Sequence, residues 1–561
     1  MKFVYVLFLM AFLGFSQEYP KDYFISPLDI PLDVSGSFGE LRSNHFHAGL
    51  DLKTNGKTGL AVHAVADGYV SRIKISTWGY GKAIYITHPN GYTTVYGHLE
   101  SANGIIEETI KKRHYTEKSF EIELFFKPTD LPVKKGEIIA FSGNSGGSGG
   151  PHLHFEFRDS KTEKILNPLL FGYDKFVVDK FKPKVTGIMV YPLNDSIAIN
   201  DEFLAQTIPL SPNSDGNYVA QKIYTNGAIG FGMNVFDNMT NAYNKNGIYK
   251  VSTFVNGVPY FSYKFDSFSF DESKHINYFI DFYRYKKQKQ RFQKMFMFTN
   301  YPLSIVNENK RDGILKVQPA ASYTYKIIVE DFAKNSSIIE IPVVYKKAEV
   351  KKTVAIIDGI SIKAKNEYNF EDGNCTVYFP ENTFYEDFKM KMRMQDGMLY
   401  LHEDEIPVKN SFTVSFDISN LDENLKNKSF IAYVDGNDVS YNKSYFKGNK
   451  INARVKKLGN YKVIQDTVAP KIYAVNFSEG KNIDSYKTIS IKIADDLSGI
   501  DSYEAYLNGN WILMDYDYKT NKLVHNLSDA IYVKGKNDFK LVVSDEMNNS
   551  TTFESVFYKN N

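Results

Sequence analysis

The chain has 561 residues, 43% hydrophobic and 24% charged, which at ~150 residues per domain allows three or four domains with cores of their own. Sixty-seven Lys and Arg against 65 Asp and Glu leave a net charge of +2, so no basic field draws in nucleic acid. Forty-two Phe and 40 Tyr exclude a disordered chain, and a single cysteine, Cys375, excludes both an internal disulfide and a thiolate zinc finger.

Met1-Lys2, an apolar run from Phe3 to Phe15 and the polar switch Ser16-Gln17-Glu18 have the pattern of a secretory signal peptide over residues 1–16. The run is shorter than the ~20 residues needed to span a bilayer, and no later segment is apolar enough to anchor the chain. Eight of the eleven histidines lie before residue 160, which places any histidine chemistry near the N-terminus. In that region Ala83–Thr87 and Tyr92–Tyr96 alternate around His88-Pro89-Asn90-Gly91, predicting a β-hairpin. Gly68–Ile73, Glu137–Phe141 and His154–Phe157 read as further strands, and Gly104–Tyr115, with Ile105, Ile106 and Ile110, as one short helix.

From about residue 181 the texture becomes short β runs separated by Asn, Asp and Gly turns. Two internal echoes appear. Tyr325–Asp331 followed by Asn335-Ser336-Ser337 resembles Phe539–Asp545 followed by Asn548-Asn549-Ser550, and Val235-Phe236-Asp237 resembles Ile493-Ala494-Asp495. With the starts Lys182-Pro183-Lys184 and Ala469-Pro470-Lys471, these point to repeated β-sandwich modules of immunoglobulin-like type.

Three separated fragments carry candidate chemistry: His45-Phe46-His47-Ala48-Gly49-Leu50-Asp51, Tyr96-Gly97-His98-Leu99 and Gly150-Pro151-His152-Leu153-His154-Phe155-Glu156. On a strand, residues i and i+2 share a face, so His152 and His154 reach one cavity. His47 and Asp51 would stand about 13 Å apart on an extended strand, and a turn at Gly49 would bring them together. With one member of the His152/His154 pair they give two imidazoles and a carboxylate, a donor set that suits zinc with one position left open. The Gly-rich run Ser142–Gly150 lacks a Gly-Lys-Ser/Thr ending and is not a phosphate loop. His63, His88 and His114 read as surface or core histidines, and His45 as a surface or supporting group.

Over roughly residues 35–170 the sequence resembles the M23 (LytM/lysostaphin-type) zinc metallopeptidases, through His-x-Gly-x-Asp at 47–51, Ala-Val-Ala-Asp-Gly-Tyr-Val at 64–70, Tyr-Gly-His-Leu at 96–99 and Gly-Pro-His-Leu-His-Phe-Glu at 150–156. The resemblance implies one zinc per chain held by His47, Asp51 and His154, with His98 and His152 as the catalytic histidines. It implies hydrolysis of peptide cross-links in bacterial peptidoglycan by a zinc-activated water. The stretch from Glu100 to about Asp130 departs from compact members by its length and is expected to wall the substrate groove.

The expected architecture is mainly β: a signal peptide at 1–16, an antiparallel β peptidase domain at 17–180, immunoglobulin-like sandwiches at 181–347 and 468–561, and a β-rich module at 348–467 between them. The expected partners are peptidoglycan stem peptides or cross-bridges and, through the C-terminal modules, a cell-envelope protein; nucleic acid and a transmembrane anchor are not expected. The expected location is periplasmic, cell-envelope or secreted. Two other functions fit the same residues: a non-catalytic LytM-like regulator that binds and activates a cell-wall amidase, and a surface adhesin acting through the sandwiches.

Overall fold

Two alternating runs with a turn between them can bury one face only by pairing, and the hairpin forms as the sequence predicts. Lys82–Thr87 pairs antiparallel with Tyr92–Gly97, and His88 N donates to Tyr92 O at 2.8 Å across the turn. The computed structural model describes residues 19–240, 243–297, 302–348, 358–529 and 532–560. The signal-like segment 1–16 lies outside them.

Twelve strands and one helix build the N-terminal domain: β1 (Val34–Gly36), β2 (Leu50–Lys53), β3 (Ala61–His63), β4 (Gly68–Ile75), β5 (Lys82–Thr87), β6 (Tyr92–Gly97), β7 (Leu99–Ala102), α1 (Gly104–Glu117), β8 (Ile122–Phe125), β9 (Pro132–Val133), β10 (Ile138–Ser142), β11 (His152–Asp159) and β12 (Ile165–Leu166). The main sheet runs β1-β2-β11-β6-β5-β4-β8, with β9 pairing β4 and β12 pairing β11; a second sheet runs β3-β10-β7. Val62, Val70, Ile86, Leu153, Phe155 and Phe157 are fully buried in the core. The helix packs Ile106 and Ile110 inward and stops at Lys118, which takes a left-handed conformation.

The domain does not end in a free linker. Ile165 of β12 pairs with Phe268, and Phe46 packs its ring against Phe265, Phe268 and Phe279 at 5.5–6.0 Å, so one apolar cluster continues into the next unit. There a sheet containing Lys184–Pro192 and Ala228–Phe236 faces a larger one containing Lys250–Val255, Ser322–Glu330 and Ser336–Tyr345. Two further sandwiches follow, each with its own core. In the first, Val377, Phe416 and Ile451 of one sheet meet Leu399, Ile431 and Tyr461 of the other. In the second, Ile489, Ile491 and Leu523 meet Leu507, Leu541 and Phe557.

The last sandwich folds back onto the first domain. Tyr115 and Lys111 of α1 bond Asp529, Trp511 sits edge-on to Tyr115, Lys82 pairs with Asp515 at 2.6 Å, and Tyr518 lies over Trp78 with ring centroids 3.8 Å apart. The long stretch after Glu100 thus supplies, through Lys111 and Tyr115, part of the platform on which the C-terminal sandwich rests. Among the described residues no helix is long and apolar enough to cross a membrane.

Candidate metal centre

Strand β11 lies between β2 and β6, and its register assembles the centre. His154 stands opposite Asp51 of β2 on one side and Gly97 of β6 on the other. Directly opposed residues of antiparallel strands project to the same face, so His154 meets Asp51, and His152 joins them two residues earlier. Gly97 lies beside the side chains of His154 and Tyr80, and the Tyr80 ring stacks on His154 at 4.9 Å. Just after it, His98 has a φ of +59°, a turn that lifts its ring out of the strand line. The chain bends at Gly49, where a Cβ would stand 2.3 Å from Phe155 O. That close approach lets the segment before β2 press against β11 and bring His47 back towards Asp51.

Three ligand atoms converge. His47 Nε2 is 3.1 Å from His154 Nδ1 and 3.0 Å from Asp51 Oδ1, and His154 Nδ1 is 2.9 Å from Asp51 Oδ1. Groups about 2.0–2.1 Å from one tetrahedral ion stand roughly 3.3 Å apart, so the triangle is close to the size zinc requires. The far side of each ligand is held. His47 Nδ1 donates to Ser37 O at 2.8 Å, which leaves Nε2 with its lone pair facing the centre. His154 Nε2 donates to Glu156 Oε1 at 2.8 Å, leaving Nδ1 as the ligand atom. Arg42 donates to Asp51 Oδ2 at 2.8 Å, so Oδ1 is the oxygen that faces the imidazoles.

The outer charges are themselves fixed. Glu156 is fully buried and takes two bonds from Arg158, at 2.8 and 2.7 Å; the guanidinium lies between the rings of Tyr85 and Phe270. Burial pushes the Glu156 carboxyl up, but Arg158 and His154 outweigh it and bring it down to about 2. Burial pushes His154 down, yet its bonds to Asp51 and Glu156 prevail and raise it to about 9. Burial likewise opposes ionisation of Asp51, and the neighbouring imidazoles, His47 foremost, hold it well below the usual carboxylate range. The pocket therefore favours positive charge at its centre. This preference and the two-imidazole, one-carboxylate donor set fit a zinc ion.

Two more imidazoles border the centre. His152 Nε2 is 3.3 Å from Asp51 Oδ1, and the His98 ring lies 4.8 Å from that of His152. Each donates its Nδ1 hydrogen to a carbonyl of the Gly-rich loop: His98 to Ser145 O and His152 to Gly150 O, both at 2.8 Å, with Ser148 Oγ also 3.1 Å from His152 Nδ1. A carbonyl accepts only, so each ring carries a hydrogen on Nδ1. That loop is held from outside as well. Gly147 N donates to Gly79 O at 2.8 Å, and Lys519 of the C-terminal sandwich donates to Asn144 O and, at 3.2 Å, to Ser148 O.

The structure thus brings His47, Asp51, His98, His152 and His154 to one place. His45 is exposed beside Asn44, His63 bonds Gly136 O and Asp29, His88 is buried against Asp67 O and Thr94, and His114 is buried against Ser119 O. Sequence reasoning assigned no role to Glu156, Arg158, Tyr80 or Arg42. Glu156 had a usable signal, since it falls two residues after His154 on the same strand face.

The model of peptidase family M23 matches residues 45–115, and that of a Zu5-like domain matches 361–466. An uncharacterized metalloprotease of Haemophilus influenzae is 35% identical over 123 residues, 22% of this chain and 20% of that protein. The DD-carboxypeptidase/endopeptidase Mpg of Neisseria meningitidis serogroup B is 33% identical over 130 residues, 22% of this chain and 24% of that protein. The chain thus spans about a fifth to a quarter of the length of these curated relatives. Among solved structures, the catalytic domain of lysostaphin from Staphylococcus simulans is 25% identical over 25% of this chain and 88% of that one, with a TM-score of 0.19. This chain carries an M23 peptidase domain near its N-terminus and, further along, a Zu5-like domain.

Proposed function

We propose that the protein is an exported zinc metalloendopeptidase that hydrolyses peptide cross-links of bacterial peptidoglycan. The observation that carries this reading is the triangle of His47 Nε2, Asp51 Oδ1 and His154 Nδ1, with sides of 2.9–3.1 Å, beside two imidazoles that are not needed as ligands. His47, Asp51 and His154 would hold one zinc. When bound, zinc supplies a Lewis acid that polarises a scissile carbonyl and makes water acidic enough to act near neutral pH.

The chain's own residues do the rest. His98 and His152, each fixed through Nδ1 to the Gly-rich loop, are placed to take a proton from the attacking water and return it to the leaving amine. Glu156 fixes the tautomer and tilt of His154, and Ser37 O those of His47. Lys519 acts at one remove: it grips the two carbonyls of the loop that orients His98 and His152. The C-terminal sandwich therefore belongs to the catalytic apparatus as a brace. The Neisseria relative, named for DD-carboxypeptidase and endopeptidase activity, supports a D-amino-acid-containing cross-link as substrate.

The test is digestion of purified peptidoglycan with the full-length protein, with and without a chelator. New amino termini that appear only with metal, and not with His154→Ala, support the reading. A metal-free protein that instead stimulates a wall amidase would replace it with the regulator.

A further inference from the structure

The first and last sandwiches contain the same acidic corner. Asp331 and Asp545 stand at the end of a long strand, Asp331 just after it and Asp545 as its last residue, and accept bonds from the backbone N–H and side-chain amide of an asparagine four residues on, Asn335 and Asn549, at 2.7–2.9 Å. The asparagine amide also reaches the carbonyl of an aspartate in the entering segment, Asp179 in one case and Asp466 in the other. A third aspartate, Asp237 or Asp495, follows the residue paired with Lys184 or Lys471 in the first strand. In both corners carboxylate oxygens of the three aspartates lie within 4.8 Å of one another.

The two corners differ in how those oxygens are used. In the last sandwich, Ser498 Oγ and N bond Asp466 Oδ2 at 2.7 and 3.1 Å, Leu497 N and Gly499 N bond Asp495 Oδ2, and Met547 N bonds Asp545. Protein donors satisfy that cluster. In the first sandwich, Asp237 is only 1% exposed and its Oδ1 has no hydrogen-bond partner. Asn246, directly opposite Asp237 in a β-bridge and 2% exposed, has neither Oδ1 nor Nδ2 partnered. Opposed residues share a face, so two buried polar side chains stand side by side unsatisfied. The three aspartates also border a cavity of about 310 Å³ between the peptidase domain and the sandwich, lined in addition by Ser37 and Asn167. The one lysine on its wall, Lys180, is exposed and keeps its own hydration.

We propose that Asp179, Asp237 and Asp331 form a calcium-class divalent cation site that ties the segment leaving the peptidase domain to the first sandwich. All three side chains are oxygen donors. Such a set suits a hard cation of flexible coordination better than zinc or a strictly octahedral magnesium. Burial and the neighbouring Asp179 and Asp331 charges push Asp237 up to about 8, and burial with Asp179 pushes Asp331 up to about 6. These are the marks of carboxylates without a counter-charge. The corner of the last sandwich, already satisfied, binds no ion.

Terbium is the probe, since Tyr249 lines the cavity and can sensitise its emission. The full chain carrying His154→Ala, which disables the metal centre, is titrated with terbium and then with calcium, and its melting temperature is recorded with and without calcium. The expected result is one saturable terbium equivalent displaced by calcium, and a calcium-dependent rise in melting temperature. Asp237→Asn should weaken binding about tenfold or more and abolish the rise, while melting no lower than the parent in the absence of calcium because it removes an uncompensated charge. Asp495→Asn should leave the calcium response unchanged. The proposal is overturned if calcium neither displaces terbium nor shifts melting. It is equally overturned if Asp237→Asn keeps the response while Asp495→Asn loses it. None of these readouts depends on peptidase activity.

Discussion

The metal centre and the Asp179/Asp237/Asp331 corner both gather three ligand-type side chains from distant stretches of the chain, yet their surroundings differ. At the metal centre every ligand is backed by a fixed partner: Ser37 O behind His47, Glu156 and then Arg158 behind His154, Arg42 behind Asp51. In the aspartate corner, Asp331 is held by Asn335, but Asp237 Oδ1 meets no donor. The first arrangement presents nitrogen lone pairs in one orientation and selects geometry. The second collects negative charge around one carboxylate oxygen that no donor reaches, and selects a hard cation by charge and oxygen count. Ser37 connects them, since its carbonyl holds His47 and the residue also lines the cavity beside the aspartates.

Several substitutions would break or sharpen this contrast. The largest effect is expected from His154→Ala, which should remove bound zinc and lower turnover by at least about 10³-fold; elemental analysis and release of amino termini from peptidoglycan report the two losses separately. His152→Ala and His98→Ala should keep zinc and lower kcat by about 10²- to 10⁴-fold. Equal loss of zinc in these variants would make them ligands. Glu156→Gln should weaken zinc about 10- to 100-fold in competition with a chromophoric chelator. It should also lower the melting temperature, because Arg158 loses its buried carboxylate and keeps only the exposed Glu163.

The aspartate corner predicts a pH effect of opposite sign to ordinary acid denaturation. Asp237 is raised to about 8 and Asp331 to about 6, so the folded state holds protons that the unfolded state, near the usual carboxylate pKa of ~4, has released. Without calcium, their contribution to stability is therefore lost as pH rises from about 4 towards 8, and Asp179, raised by burial, acts in the same direction. Melting curves in chelator should show this decline, and calcium at pH 8 should reverse it. The smallest effect is expected from Lys519→Ala. Its bonds are partly exposed, so a decrease in kcat of about 2- to 5-fold with zinc content unchanged is expected.

Much of the centre was legible because its residues are marked locally. His152 and His154 share a strand face by parity, and the bend at Gly49 was required to bring His47 near Asp51. The hairpin around His88–Gly91 and the helix from Gly104 were likewise written in short-range pattern. Long-range register was not. Nothing local states that His154 faces Asp51 and Gly97, that Tyr80 stacks on His154, or that Lys519 returns from the last sandwich to the loop before His152. The echoes around Asp331 and Asp545 revealed a repeat, but Asp179 and Asp466 join those corners only through folding. The donors that distinguish them, Ser498 above all, lie in loops where the two sequences diverge.

The most direct test of the account is metal analysis of the purified full-length protein, paired with digestion of peptidoglycan before and after chelation. One zinc per chain, amino termini released only while it is bound, and loss of both in His154→Ala are the predicted results. Unchanged zinc in His154→Ala, or release of amino termini that a chelator does not stop, would contradict it.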